Sequence, residues 1–116
     1  MGKLVIVDDD ELVRVSSAAI LASLGHDILQ AKDGLEALLL YKEKHAEINL
    51  IVMDVQMPRM DGISATVAIK EINPRVKVIM ISGYTDQIPS CADAFLTKPF
   101  RSKDLLDLAK QFLDKS

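Results

Sequence analysis

An α/β fold, with one parallel β-sheet covered by helices on both faces, is the class this sequence predicts. Three observations carry that expectation. Apolar runs of strand length alternate with segments of helical periodicity along the whole chain. The run Leu50-Ile51-Val52-Met53 has no polar alternation, as a central strand buried on both faces requires. Polar groups stand at the ends of several runs, where a strand hands over to a loop: Asp8 and Asp9, Asp54, Ser82 and Lys98.

The first strand covers residues 4–7 and ends at Asp8-Asp9-Asp10. A helix is predicted over 11–24, because Val13, Ile20 and Leu24 fall at i, i+7 and i+11 on one face and Gly25 supplies a C-terminal stop. Its N-terminus points back at the acids. The strand over 27–31 carries Asp27 and Gln30 and is polar enough for a sheet edge. The Asp33-Gly34 turn opens a second helix over 35–44 that buries Leu38 and Tyr41. The third strand spans 50–53. The segment Met57-Pro58-Arg59-Met60-Asp61-Gly62 is a loop, because Pro58 bars a helix before it. A third helix over 63–72 places Ala65, Ile69 and Ile72 on one stripe and stops at Asn73-Pro74. The fourth strand is 76–81, with Ser82-Gly83 just past it, and the last strand is 94–96. The last helix, over 102–114, sets Leu105, Leu108, Ala109 and Phe112 at i, i+3, i+4 and i+7. No internal repeat, linker or low-complexity tract is present.

Composition narrows the function classes. A chain of 116 residues, 49% hydrophobic and 27% charged, suits one ordinary domain covering 1–116. A net charge of -3 without clustered Lys and Arg argues against direct nucleic-acid binding. No apolar stretch approaches the ~20 residues of a membrane-spanning helix, so membrane insertion is not expected. The single cysteine, Cys91, cannot form an internal disulfide, and the N-terminus lacks a signal-peptide pattern. A cytoplasmic location is the expectation.

Right-handed crossovers bring the C-terminal end of every parallel strand to one edge of the sheet, where open α/β sheets bind their ligands. Asp8, Asp9, Asp54, Ser82 and Lys98 are therefore expected to converge. Carboxylates about 5 Å apart repel by roughly 3 kcal/mol per pair at an effective dielectric of 20. A divalent cation relieves that repulsion, and compact all-oxygen donors suit Mg²⁺, with Mn²⁺ able to substitute. Such a cation also holds phosphoryl oxygens and absorbs their charge. Asp54, alone at the end of the central strand, is best placed to take a phosphoryl group as an aspartyl phosphate. Lys98 supplies an ammonium for the new phosphate oxygens, and Ser82 a hydroxyl donor. Taken singly, each has a plainer reading: Asp8 to Asp10 as helix caps, Ser82 as a turn residue, Lys98 as a solvated charge. Capping accounts neither for a carboxylate ending the central strand nor for a lone lysine ending the last.

Assembled, these segments resemble the receiver domain of two-component response regulators over essentially the whole chain. The matching stretches are Val5-Ile6-Val7-Asp8-Asp9-Asp10, Asp33-Gly34-Leu35-Glu36-Ala37, Asp54 with Met57-Pro58-Arg59-Met60-Asp61-Gly62, Ile81-Ser82-Gly83, and Phe95-Leu96-Thr97-Lys98-Pro99-Phe100. The resemblance implies a flavodoxin-like, doubly wound, five-stranded parallel sheet of order 2-1-3-4-5. It implies that Asp54 is the phosphoacceptor, charged from a phosphohistidine of a sensor histidine kinase or a histidine phosphotransfer protein. Asp9 and Asp54 would bind Mg²⁺ directly, Asp8 largely through water, and the Gln56 backbone carbonyl as a further ligand. Lys98 would pair with the phosphate across a cis Lys98-Pro99 bond. Ser82 and Phe95 would form the conformational switch, and Gln56 and Tyr84 would tune the lifetime of the acyl phosphate, longer if Tyr84 shields it. The outer face of the first helix, with Leu12, Val15 and Ser16, would dock the kinase. The chain is expected to be either a stand-alone receiver or a receiver belonging to a longer protein.

One segment departs from the family pattern. Residues 83–93 must supply a loop out, a helix and a loop back, and Pro89 sits in their middle, where an interior proline costs about 3 kcal/mol. The helix that the family places there is expected to be absent or reduced to about one turn, which puts signalling through that face in doubt. Other functions fit less well. A flavin carrier of the same topology needs glycines and hydroxyls after its first strand, and three aspartates would repel the flavin phosphate. An aspartate-nucleophile phosphatase needs a second aspartate two residues after the nucleophile, where Gln56 stands. An unphosphorylated binding module would have no use for Asp9, Asp54, Ser82 and Lys98 together.

Overall fold

The computed structural model describes residues 2–83 and 89–114. In chain order the elements are β1 (Lys3–Val7), α1 (Glu11–Ala22), β2 (Asp27–Ala31), α2 (Gly34–Lys44), a short 3₁₀ turn (His45–Glu47), β3 (Ile48–Asp54), α3 (Gly62–Ile72), β4 (Lys77–Ser82), β5 (Ala94–Thr97) and α4 (Ser102–Asp114). The strands form one sheet in the order β2-β1-β3-β4-β5, every pair parallel. Strand order, strand direction and helix positions are those expected, and β2 lies at an edge as its polarity required.

Period-2 alternation sorts each strand's side chains between two cores. Val5, Val7, Ile51, Met53, Val78 and Met80 pack under α2 and α3 with Ala37, Tyr41, Ala65 and Ile69. Leu4, Ile6, Leu50, Val52, Ile79 and Ile81 pack under α1 and α4 with Ala18, Leu21, Leu105 and Ala109. None of these twelve strand residues is more than 5% exposed, so β1, β3 and β4 are apolar through their middles because both faces are covered.

The structure corrects several boundaries. β3 extends two residues N-terminally to Ile48 and takes in Asp54 itself, and β4 takes in Ser82, so both polar residues end strands rather than follow them. β4 begins at Lys77 rather than Val76, and β5 runs on to Thr97. Helix α1 closes at Ala22, short of Leu24, because Ser23 caps it through the Ile20 and Leu21 carbonyls and Gly25 turns out with φ 87°. Gly34 begins α2 inside the helix because the Asp33 side chain already caps it. On α3, Thr66 is buried, whereas Ile72, expected on the buried stripe, is 40% exposed. Among the described residues no helix separates β4 from β5: Gly83 and residues 89–93 carry none, and 84–88 lie outside the described residues. The four helices described are consistent with the reduced connection expected there. Among the described residues no helix is long and apolar enough to cross a membrane.

Candidate functional site

Each functional side chain is aimed by the alternation that builds the cores. Continued one residue past β1 and β5, the period places Asp8 on the same side as Leu4 and Ile6, and Lys98 with Ala94 and Leu96. Asp54 falls with Leu50 and Val52. All three are therefore aimed to the α1/α4 side at the C-terminal edge. Ser82 has the parity of Val78 and Met80, and Phe95 packs against the core under α2 and α3.

Crossing strands bring the carboxylates together. One oxygen from each of Asp8, Asp9 and Asp54 lies within 4.8 Å of the others. Asp8 and Asp54 are only 5% and 6% exposed, whereas Asp9 faces solvent. Lys98 Nζ stands 3.5 Å from Asp54 Oδ2 and 3.9 Å from Asp8 Oδ2, reaching in from the far side of the sheet across a cis Lys98-Pro99 bond. These residues, with Asp10, Gln56, Val13 and Gly83, line an open cleft of about 550 Å³.

The three consecutive aspartates have separate tasks. Asp10 is the N-cap of α1, its side chain accepting from the Leu12 and Val13 amides. Asp8 Oδ1 accepts from the Asp10 amide at 2.9 Å, which orients the carboxylate toward the cleft. Helix capping thus explains Asp10 and leaves Asp8 and Asp9 to the site. Arg14 steadies the turn by donating to the Asp8 carbonyl at 3.0 Å.

Crowding of negative charge in a buried place shows in the proton affinities. Burial first, and then the Asp8 charge, push the Asp54 carboxyl up from 3.8 to about 6 against the downward pull of Lys98 and the Gln56 amide. Burial also raises Asp8, opposed by the Asp10 amide and by Lys98. A single ammonium shared between two buried carboxylates leaves net negative charge in the cleft. The donor set is all oxygen, compact and under-neutralised, which fits a small hard divalent cation.

Of the residues singled out from sequence, Asp8, Asp9, Asp54, Gln56 and Lys98 meet at the cleft. Ser82 is buried as the last residue of β4, with its carbonyl accepting the Lys98 amide at 2.8 Å. Gly83 rather than Ser82 lines the cleft. Phe95 is half-buried on the opposite face, and Tyr84 lies outside the described residues. Val13 and Gly83 were not anticipated as lining residues; the signal for both was adjacency, one turn into α1 and one residue past β4.

Comparison with known proteins agrees with this arrangement. The response regulator receiver domain family matches residues 4–110. The chain is 34% identical over 116 residues to the sensor kinase CckA of Brucella abortus, covering 95% of this chain and 12% of that protein. It therefore spans about an eighth of that kinase's length. It is 33% identical to the chemotaxis protein CheY of Bacillus subtilis, covering 97% of this chain and 98% of that one. Among solved structures, the complex of CheX, CheY, BeF₃ and Mg²⁺ from Borrelia burgdorferi superposes with a TM-score of 0.90 at 31% identity, covering 97% of this chain and 89% of that one. Receiver domains accept phosphate from histidine kinases or phosphotransfer proteins and generally bind Mg²⁺ at an acidic pocket, and this chain carries a cluster of acidic residues in Asp8, Asp9 and Asp54. With fold, sequence and site in agreement, the chain belongs to the response regulator receiver domain family and so to phosphorylation-dependent two-component signalling.

Proposed function

We propose that this chain is a single receiver domain whose phosphoacceptor is Asp54, charged from a phosphohistidine of a sensor kinase or phosphotransfer protein. The observation that carries the reading is the meeting of the Asp8, Asp9 and Asp54 carboxylates within 4.8 Å, with the Lys98 ammonium 3.5 Å from Asp54. Asp8, Asp9, Asp54 and the Gln56 carbonyl would hold Mg²⁺, with Mn²⁺ able to replace it. When bound, the cation supplies charge neutralisation to the phosphoryl oxygens. The residues of the chain do the rest. An Asp54 oxygen bonds to phosphorus as the P–N bond of the phosphohistidine breaks, and the imidazole leaves with the bonding electrons. Lys98, already directed at Asp54, follows the new negative charge onto the phosphate.

The phosphate then biases a two-state packing in which Ser82 turns toward it and Phe95 moves inward. Gln56 and Tyr84 set how readily water reaches the acyl phosphate. The chain acts as a phosphoacceptor with self-phosphorylation and self-dephosphorylation chemistry, not as a multiple-turnover enzyme, and its output partner is regulated by the switched state.

Incubation with acetyl phosphate and Mg²⁺ tests the reading. Intact mass should show one added phosphoryl group on the native chain, none on Asp54→Asn, and a markedly reduced fraction on Lys98→Ala. Equal incorporation in Asp54→Asn would overturn it.

A further inference from the structure

The loop between β3 and α3 carries Gln56 into the cleft, yet it is fastened from a turn that never touches the cleft. Gly34, at the start of α2, donates its amide to the Met60 carbonyl at 3.0 Å. Beside it, Asp33 Oδ2 takes Arg59 Nε at 3.1 Å, while Asp33 Oδ1 accepts the Glu36 amide at 2.8 Å. Asp33 is 2% exposed. Among the described residues, Arg59 is the cation that pairs with it. The Arg59 side chain is itself 61% exposed, but removing it would leave the buried Asp33 carboxylate without its countercharge.

Arg59 itself has φ 66°, a left-handed conformation that Gly or Asn adopts more readily than a long side chain. A residue poorly suited to the backbone therefore stands where its side chain reaches the buried acid. The loop's two ends are closed separately, by Val55 N to the Ile81 carbonyl at 2.9 Å and by Gly62 N to the Val55 carbonyl at 2.8 Å. Its middle depends on the Asp33-Gly34 turn.

We infer that Arg59, through its ion pair with Asp33, is a positioning residue that holds the β3–α3 loop so that the Gln56 carbonyl faces the carboxylate cluster. This rests on the reading of that carbonyl as a Mg²⁺ ligand given above. Electrostatics alone predicts the opposite sign: removing a cation near an acidic cleft should strengthen Mg²⁺ binding. Loss of a positioning contact should weaken it, as loss of supporting contacts does around other metal sites.

Mg²⁺ affinity, measured by calorimetry on the full chain, separates the two. Arg59→Gly suits the left-handed backbone, and Arg59→Asn does so without glycine's added freedom. Both are expected to raise the Mg²⁺ Kd about tenfold, while the thermal midpoint in EDTA stays level or rises. Asp33→Asn, which keeps an oxygen for the helix cap, should add no further loss to either Arg59 variant, because the pair acts as a unit. An unchanged or lower Kd in both Arg59 variants overturns the positioning role and leaves the metal site intact. If the native chain takes up no Mg²⁺, the underlying reading of the site fails, and this inference with it.

Discussion

Asp54 is held at about 6 by burial and by the Asp8 charge, against 3.8 in an unfolded chain. Below about pH 4 the group is protonated in both states and contributes nothing. Between pH 4 and 6 the unfolded chain releases its proton first, so the native state binds more protons and its stability falls as pH rises. Above pH 6 the full cost is present, about 2–3 kcal/mol for a shift of this size. Asp8, also raised by burial, acts in the same direction. Metal-free Asp54→Asn should therefore be more stable than the native chain by about 2 kcal/mol at pH 7. The gap should close as pH approaches 4. Urea titrations in EDTA across this range check it, and a gap that widens on acidification would contradict the cause assigned here.

At the scale of elements, the β3–α3 connection is packed too closely for ordinary side chains. A Cβ on Gly62 would collide with the Asp54 carbonyl, and one on Gly34 would collide with the Met60 carbonyl. Gly62→Ala should cost at least about 2 kcal/mol, as overpacking does. It should also slow phosphorylation, since the displaced backbone is that of the phosphoacceptor; denaturant melts and acetyl phosphate labelling measure the two effects. Helix α3 holds a different weakness. Thr66 is fully buried, and its hydroxyl finds no partner among the described residues. Thr66→Val removes an unsatisfied polar group and should stabilise by about 1 kcal/mol, visible as a higher urea midpoint at constant m-value.

For the whole molecule, the acidic edge ties stability to metal. A ligand at a hundred times its Kd stabilises by about 2.7 kcal/mol, which in a domain of this size raises the melting temperature by roughly 8–12 °C. Saturating Mg²⁺ should produce a shift of that order in the native chain and little in Asp9→Asn; a native chain indifferent to Mg²⁺ would contradict the proposed site. The face between β4 and β5 is rebuilt at the same scale. Asp93 joins the shortened connection to its surroundings: its carboxylate takes Lys70 Nζ at 2.7 Å and the Val78 amide at 2.8 Å, and its own amide donates to the Val78 carbonyl at 2.9 Å. With no helix among the described residues there, signalling through a surface built on one would have to use β5, α4 and this fastened strap instead.

The chain order, the parallel sheet and the edge that carries the chemistry were legible because they rest on local periodicities. Alternation with period 2 sends Asp8, Asp54 and Lys98 to one side of the sheet, and Pro89 within a short segment forecasts the reduced connection before β5. Asp10 also advertised itself as a cap, but its sequence neighbours look the same, and only the fold divides Asp8 and Asp9 from it. The 4.8 Å gathering of carboxylates, the raised Asp54 proton affinity and the Arg59–Asp33 fastening were decided by tertiary structure. Each depends on strand register, burial and the approach of segments far apart in sequence. Periodicity states which way a side chain points; what it meets depends on how the strands and loops are brought together.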